Sequence, residues 1–165
     1  MSALFSPWAL GPLTLPNRIV IAPMCQYSAH DGSATDWHLI HLGTMAQSGA
    51  GLLILEATAV EATGRITPAC LGLYSDANEA ALGRVLGAVR AHGTGMPLAI
   101  QLGHAGRKAS SRAPWSGGAQ MPLAEPGAWR AEAPSALAHI DGEDAPQALD
   151  AAGLARVRDA FAQAA

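Results

Sequence analysis

The sequence predicts an α/β fold built on a parallel sheet, and two observations carry that prediction. Three short apolar runs lack the alternation of a half-exposed strand: Arg18-Ile19-Val20-Ile21-Ala22-Pro23-Met24, Gly51-Leu52-Leu53-Ile54-Leu55-Glu56-Ala57 and Pro97-Leu98-Ala99-Ile100-Gln101-Leu102. Such runs suit parallel strands covered on both faces. Helical patterns separate them, and strand-helix-strand repeats close through right-handed crossovers into a parallel sheet.

The elements follow in order. Leu10-Gly11-Pro12-Leu13 reads as a turn between two short extended pieces, a small N-terminal hairpin. After the first strand, Asp36 is placed to cap a helix that buries Leu39, Leu42, Met45 and Ala46 and ends near Gly49. The second helix has well-marked ends: Asp76 as cap, Glu79 three residues on, Leu82, Val85, Leu86 and Val89 at helical spacing, then Gly93 and Gly95 as stops. Residues 104–150 form a long Pro- and Gly-rich stretch with Trp115 and Trp129, which we read as an ordered cover. The remaining segment sets Leu154, Val157 and Phe161 at helical spacing.

Composition excludes several classes of function. Of 165 residues, 50% are hydrophobic and 14% charged, the balance of a folded domain and not of a disordered tail. The net charge is −3 and no basic run exceeds Arg107-Lys108, so nucleic acid is not an expected partner. The first residues lack a charged and then apolar leader, and the most apolar stretch, residues 50–60, is interrupted by Glu56 and too short to span a bilayer. We expect a cytoplasmic protein with no membrane partner. Cys25 and Cys70 are too few for a disulfide framework and lack metal-ligand spacing, so both are expected as free thiols.

In parallel α/β folds the ligand site lies at the carboxyl ends of the strands. There the first strand offers Ala22-Pro23-Met24-Cys25-Gln26-Tyr27, the second Glu56-Ala57-Thr58, and the third Gln101-Leu102-Gly103-His104-Ala105-Gly106-Arg107-Lys108. A thiol, a phenol, amides, an imidazole and a cation converge on one rim. The turn after the first strand is neither G-x-G-x-x-G nor a Walker A loop, and no G-x-S-x-G elbow is present. His38 and His41 stand three apart without an H-E-x-x-H pattern, which favours a packing or surface role over zinc, and we expect no metal. Spacing alone defines a rim and no reaction: Cys25 fits a small buried hydrophobe, and His104 fits a brace for the loop after it.

The blocks Asn17-Arg18-Ile19-Val20-Ile21-Ala22-Pro23-Met24-Cys25-Gln26-Tyr27, Glu56-Ala57-Thr58-Ala59-Val60 with Gly64-Arg65-Ile66-Thr67, and Gln101-Leu102-Gly103-His104-Ala105-Gly106-Arg107-Lys108-Ala109 resemble the old yellow enzyme family. Cys25 and Tyr27 match its bacterial, thermophilic-like or xenobiotic reductase A type class. The resemblance covers essentially the whole chain, including the hairpin and Ala133-Pro134-Ser135-Ala136. It implies a TIM (β/α)8 barrel that binds FMN noncovalently at the carboxyl ends of its strands. NADPH reduces the flavin, which passes hydride to the β-carbon of an α,β-unsaturated carbonyl. Carried over by residue, Ala22, Pro23, Met24 and Cys25 lie along the flavin, Ala57 approaches it through backbone, and Gln101 bonds its pyrimidine edge. Cys25 is implied as a redox-tuning thiol and Tyr27 as the residue that reaches the substrate.

The family's His-x-x-His or His-x-x-Asn pair, its Tyr proton donor, its flavin Arg and its phosphate grip belong after the third strand, and no block here matches them. His38-Leu39-Ile40-His41 has similar spacing but lies on the first helix, so no role is transferred to it. A barrel commonly needs about 250 residues. We therefore expect residues 1–165 to form the N-terminal part of a single barrel domain, about three βα units with an N-terminal hairpin, that is nearly inactive by itself. Unpaired strand edges make self-association, as a homo-oligomer, the expected state. The alternative is a noncatalytic half-barrel that works only by self-association or by complementation with a C-terminal part. A complete flavodoxin-like domain would need a phosphate loop after the first strand and a further strand.

Overall fold

Trp8–Leu10 (β1) and Leu13–Leu15 (β2) pair antiparallel in the structure, a computed structural model that describes residues 2–165. This is the expected hairpin, and Gly11 supplies the positive φ of its turn. Val20–Ile21 (β3), Leu52–Ala59 (β4) and Leu98–Gly103 (β5) then form a parallel sheet in the order β3-β4-β5. Val20 lies opposite Leu52, and Leu53 lies between Ile21 and Leu98. The first strand is shorter than its apolar run suggests, since Pro23 has no N–H to offer a ladder. Entry to β4 is tight: a Cβ on Gly51 would collide with the carbonyl of Asn17, while the Gly51 N–H donates to Ile19 O at 2.8 Å.

Burial on both faces holds for β4 but not for its neighbours. Leu53 and Leu55 are 1% and 2% exposed, whereas Val20 is 43% exposed and β5 is half-buried along most of its length. Position explains this correction: among the described residues β4 has a ladder on both sides, and β3 and β5 have one each.

Helix α1 spans Asp36–Ala46 and α2 spans Asp76–His92. Both caps fall one residue earlier than expected. Thr35 and Ser75 are the caps, and the Ser75 hydroxyl accepts the Asn78 N–H at 3.3 Å. Asp36 and Asp76 instead occupy the first helical turn, where a carboxylate complements the helix dipole. Leu42, Ala46, Leu82, Val85 and Val89 pack with Leu53 and Leu55 into one core, with Leu39, Met45 and Leu86 at its margin. Each fully buried leucine or valine adds about 1.5–3 kcal/mol by leaving water.

Residues 104–150 are ordered, as expected of a cover. They contain 3-10 turns at Gly106–Lys108 and Pro114–Ser116 and a short parallel pair, Glu132–Ala133 (β6) with Gln147–Ala148 (β7). The Trp129 indole N–H donates to Thr63 O at 2.9 Å and fastens the cover to the loop after β4. Met121, Ala131 and Ala133 are buried beneath it. Helix α3, Ala151–Ala164, is capped by Asp150, whose carboxylate accepts the Gly153 N–H at 2.8 Å. None of its residues is fully buried, and Leu154, expected on its apolar stripe, is 51% exposed. No helix among the described residues is long and apolar enough to cross a membrane.

Candidate functional site

The carboxyl ends of the sheet hold two neighbouring cavities. One, of about 150 Å³, is lined by Ala57, Arg65, Cys70, Gln101 and His104 among others. The other, of about 90 Å³, is lined by Ala22, Met24, Gln26, His38, His41 and Glu56 with core leucines. The structure thus brings Ala57 and Gln101 together, as direct partners in the β4–β5 ladder. It groups Ala22 and Met24 around the neighbouring cavity, whereas Pro23, Cys25 and Tyr27 line neither of the two.

Cys25 and Cys70 are both free, as expected, but they are not independent. Cys70 closes the turn after Thr67, and its Sγ lies 3.3 Å from both the N–H and the Oγ1 of Thr67. Hydrogen bonding from Cys25 and then from Thr67 outweighs burial and brings Cys70 down to about 6. Cys25 is driven the other way, first by holding its proton toward Cys70, then by burial and by the charges of Cys70 and Glu56. The two thiols titrate as a coupled pair, with Cys25 pushed up and Cys70 drawn down.

Tyr27 follows in a left-handed conformation with φ of 50°, a strained state for a bulky residue and one that clusters at functional sites. Its ring meets Trp115 edge-on, with centroids 5.2 Å apart and planes at 88°. Burial, followed by the charges of the two cysteines and Glu56, raises its phenol above the ordinary range. Trp115 is itself 73% exposed and forms a wall more than a plug.

His104 braces its loop as expected, with Nδ1 accepting the Gly106 N–H at 3.1 Å. That bond places the ring proton on Nε2, 3.4 Å from Glu61 Oε2. Glu61, His104 and Glu132 bring candidate ligand atoms within 4.8 Å of one another. Arg156 from α3 already occupies this cluster, 2.8 Å from Glu132 and 3.5 Å from Glu61. Its hydrogen bond holds Glu132 below the ordinary carboxylate range. The protonated face of His104 and the guanidinium make this an ion-pair cluster that ties α3 to the cover, not a metal site. His38 is buried inside α1 beside Glu56, and burial lowers His41.

Spacing did not single out Glu56 or Cys70. Glu56 opens the rim block Glu56-Ala57-Thr58 but carries no role there, and Cys70 shows only as a thiol three residues after Thr67. The lining is chemically consistent. It offers small alanines and an exposed amide at Gln101, while Arg65 is engaged by Asp31 and Pro68 O at 3.2 Å each. Such a donor set fits a flat, uncharged heteroaromatic ring and provides no built phosphate grip among the described residues.

Strands of one parallel sheet, joined by outer helices and carrying their site at the carboxyl ends, define part of a (β/α)8 barrel. The chain belongs to the NADH:flavin oxidoreductase / NADH oxidase family of FMN enzymes, whose model matches residues 3–165. An NADH:flavin oxidoreductase of Gibberella zeae is 43% identical over 164 residues, covering 98% of this chain and 39% of its own length. An NADPH dehydrogenase of Listeria monocytogenes is 50% identical over 111 residues, 66% of this chain and 32% of that protein. Morphinone reductase superposes with a TM-score of 0.79 at 31% identity, over 98% of this chain and 43% of its own. The old yellow enzyme homologue from Zymomonas mobilis gives 0.75 at 28% identity, over 99% and 44%. The chain therefore spans between 32% and 44% of the length of these relatives.

Proposed function

We propose that this chain supplies the ring-binding and substrate-facing rim of an NADPH-dependent, FMN-containing reductase of α,β-unsaturated carbonyl compounds. The observation that supports this reading is that Ala22 to Cys25 directly follow β3 while Ala57 and Gln101 pair near the carboxyl ends of β4 and β5, the other two strands of the same parallel sheet. Backbone around Ala22, Pro23, Met24 and Ala57 would lie along the ring, and the Gln101 amide would bond its polar edge. FMN, when bound, supplies hydride transfer from NADPH to the substrate carbon. Cys25, held as a thiol by Cys70, adjusts the electrostatics beside the ring without donating or accepting hydride. Tyr27 and Trp115 form an aromatic wall for the substrate. Residues 1–165 stand as part of a single barrel domain, in the cytoplasm, with self-association through the open strand edges.

The carbonyl-polarising pair of the old yellow enzyme resemblance has no match here, and such electrostatic groups are worth about 10²–10³ in rate. The isolated 165-residue chain should thus bind FMN weakly and turn over negligibly. Fluorescence quenching of FMN and NADPH oxidation with 2-cyclohexenone test this. Saturable quenching, weakened about tenfold by Gln101→Ala as one polar contact is lost, supports the rim. Absence of quenching by the chain would overturn it, and enone-dependent turnover above a flavin-only blank would overturn the expected inactivity.

A further inference from the structure

The β4–β5 ladder is interrupted once. Leu55 pairs with Ile100 and Ala57 with Gln101, so Glu56 is an extra residue with no partner in β5. A bulge of this kind re-aims a side chain. Here Glu56 turns to the segment after β3: its Oε2 accepts the Gln26 N–H at 3.1 Å, and its Oε1 lies 3.4 Å from His38 Nε2. The two side chains are 1% and 3% exposed for His38 and Glu56.

His38 is oriented from behind. Its Nδ1 accepts the Thr35 N–H at 3.0 Å, which leaves the ring proton on Nε2, facing Glu56. The Thr35 hydroxyl donates to Ser28 O at 2.9 Å, and the Ser28 hydroxyl donates to Gln26 O at 2.9 Å. The circuit of contacts runs from Glu56 past His38, whose Nε2 faces the carboxylate at 3.4 Å without a hydrogen bond, and by hydrogen bonds through Thr35 and Ser28 to Gln26 and back to Glu56. It anchors both the N–H and the C=O of Gln26, the residue between Cys25 and the left-handed Tyr27. Burying a carboxylate is unfavourable before its partners are counted, and apolar packing alone would stabilise the fold as well.

We propose that Glu56, aimed by the bulge and backed by His38, is a positioning residue that fixes the Cys25–Tyr27 segment of the rim through the Gln26 peptide. Its effect on flavin binding rests on the function proposed above, whereas its effect on Cys25 does not. Two readouts separate these on the full chain: the FMN dissociation constant, and the alkylation rate of Cys25 by iodoacetamide, resolved from Cys70 by peptide mass mapping. Glu56→Gln puts an amide donor against the His38 N–H and should speed Cys25 alkylation and weaken FMN binding by about tenfold each, the loss of one charge-assisted hydrogen bond. Thr35→Val opens the circuit at its far side without touching the carboxylate and should move both readouts in the same direction by less, while Thr35→Ser restores wild-type values. The Thr35 pair decides the matter should Glu56→Gln fail to fold. Wild-type alkylation in folded Glu56→Gln, or identical behaviour of Thr35→Val and Thr35→Ser, overturns the proposal. Failure of the wild-type chain to bind FMN would overturn the proposed function and leave the alkylation arm decisive for the positioning role.

Discussion

The helix-covered side of the sheet and the cover over residues 104–150 are held together by different forces. Leu53, Leu55, Leu82 and Val85 form a continuous apolar contact between strands and helices. The cover has few such contacts and is fastened by individual bonds: Trp129 to Thr63 O, Arg112 to Glu125, and Arg156 to Glu61 and Glu132. Packing is cooperative and indifferent to salt, whereas isolated bonds and half-exposed ion pairs can open locally and are screened. The rim lies where the two regimes meet, on rigid strands below and a separately tethered cover above.

Mutations on the two sides should therefore fail in different ways. The largest effect is expected for Leu55→Ala, which leaves a cavity and should cost about 2–5 kcal/mol, read as a lower melting temperature of the whole chain. Trp129→Phe keeps most of the ring but loses the bond to Thr63 O, and should cost about 1 kcal/mol. Its signature is faster proteolysis within residues 104–150 with little change in melting. A global loss as large as that of Leu55→Ala would erase the distinction between the regions.

Arg156→Met should cost less, about 0–1 kcal/mol, because the guanidinium is 48% exposed. Its pH dependence has a defined sign. Arg156 lowers the folded-state pKa of Glu132, so the stabilisation is present above the ordinary Glu range and is lost as pH falls through the depressed value. Proteolytic protection of the cover should fade in acid in the wild type and change less with pH in Arg156→Met. The smallest change is chemical: one thiolate per chain, seen as absorbance near 240 nm, should appear with a midpoint of about 6 and vanish in Cys70→Ser.

The same division separates what was legible in the sequence from what was not. Apolar runs and helical spacing place all three parallel strands and both connecting helices, because packing against a common core imposes those periods. The caps shift by one residue because Thr35 and Ser75, themselves favoured cap residues, stand immediately before the aspartates. Trp129 signals an ordered cover correctly, yet Trp115 remains exposed against Tyr27. The Glu56 circuit is unreadable from spacing, since a bulge changes no residue type, and His38 occupies the reciprocal position of a capping box where Glu or Gln is the recognisable residue. The rim residues implied by resemblance fall at strand ends as expected, but nothing in their order shows that Cys25 and Cys70 meet.

The extra residue in β4 also bears on which kinds of genetic change this chain can accept. Substitutions at most strand positions alter one contact, but loss of the single codon for Glu56 would restore an uninterrupted ladder. Ala57 would stay opposite Gln101, but the carboxylate that accepts the Gln26 N–H would be gone. Such a deletion leaves composition, core and ladder nearly intact while releasing the Gln26 peptide. An insertion or deletion at the paired positions of residues 53–59 would instead slide the ladder by one residue and turn buried side chains outward. Those changes should be far scarcer among functional variants than substitutions there.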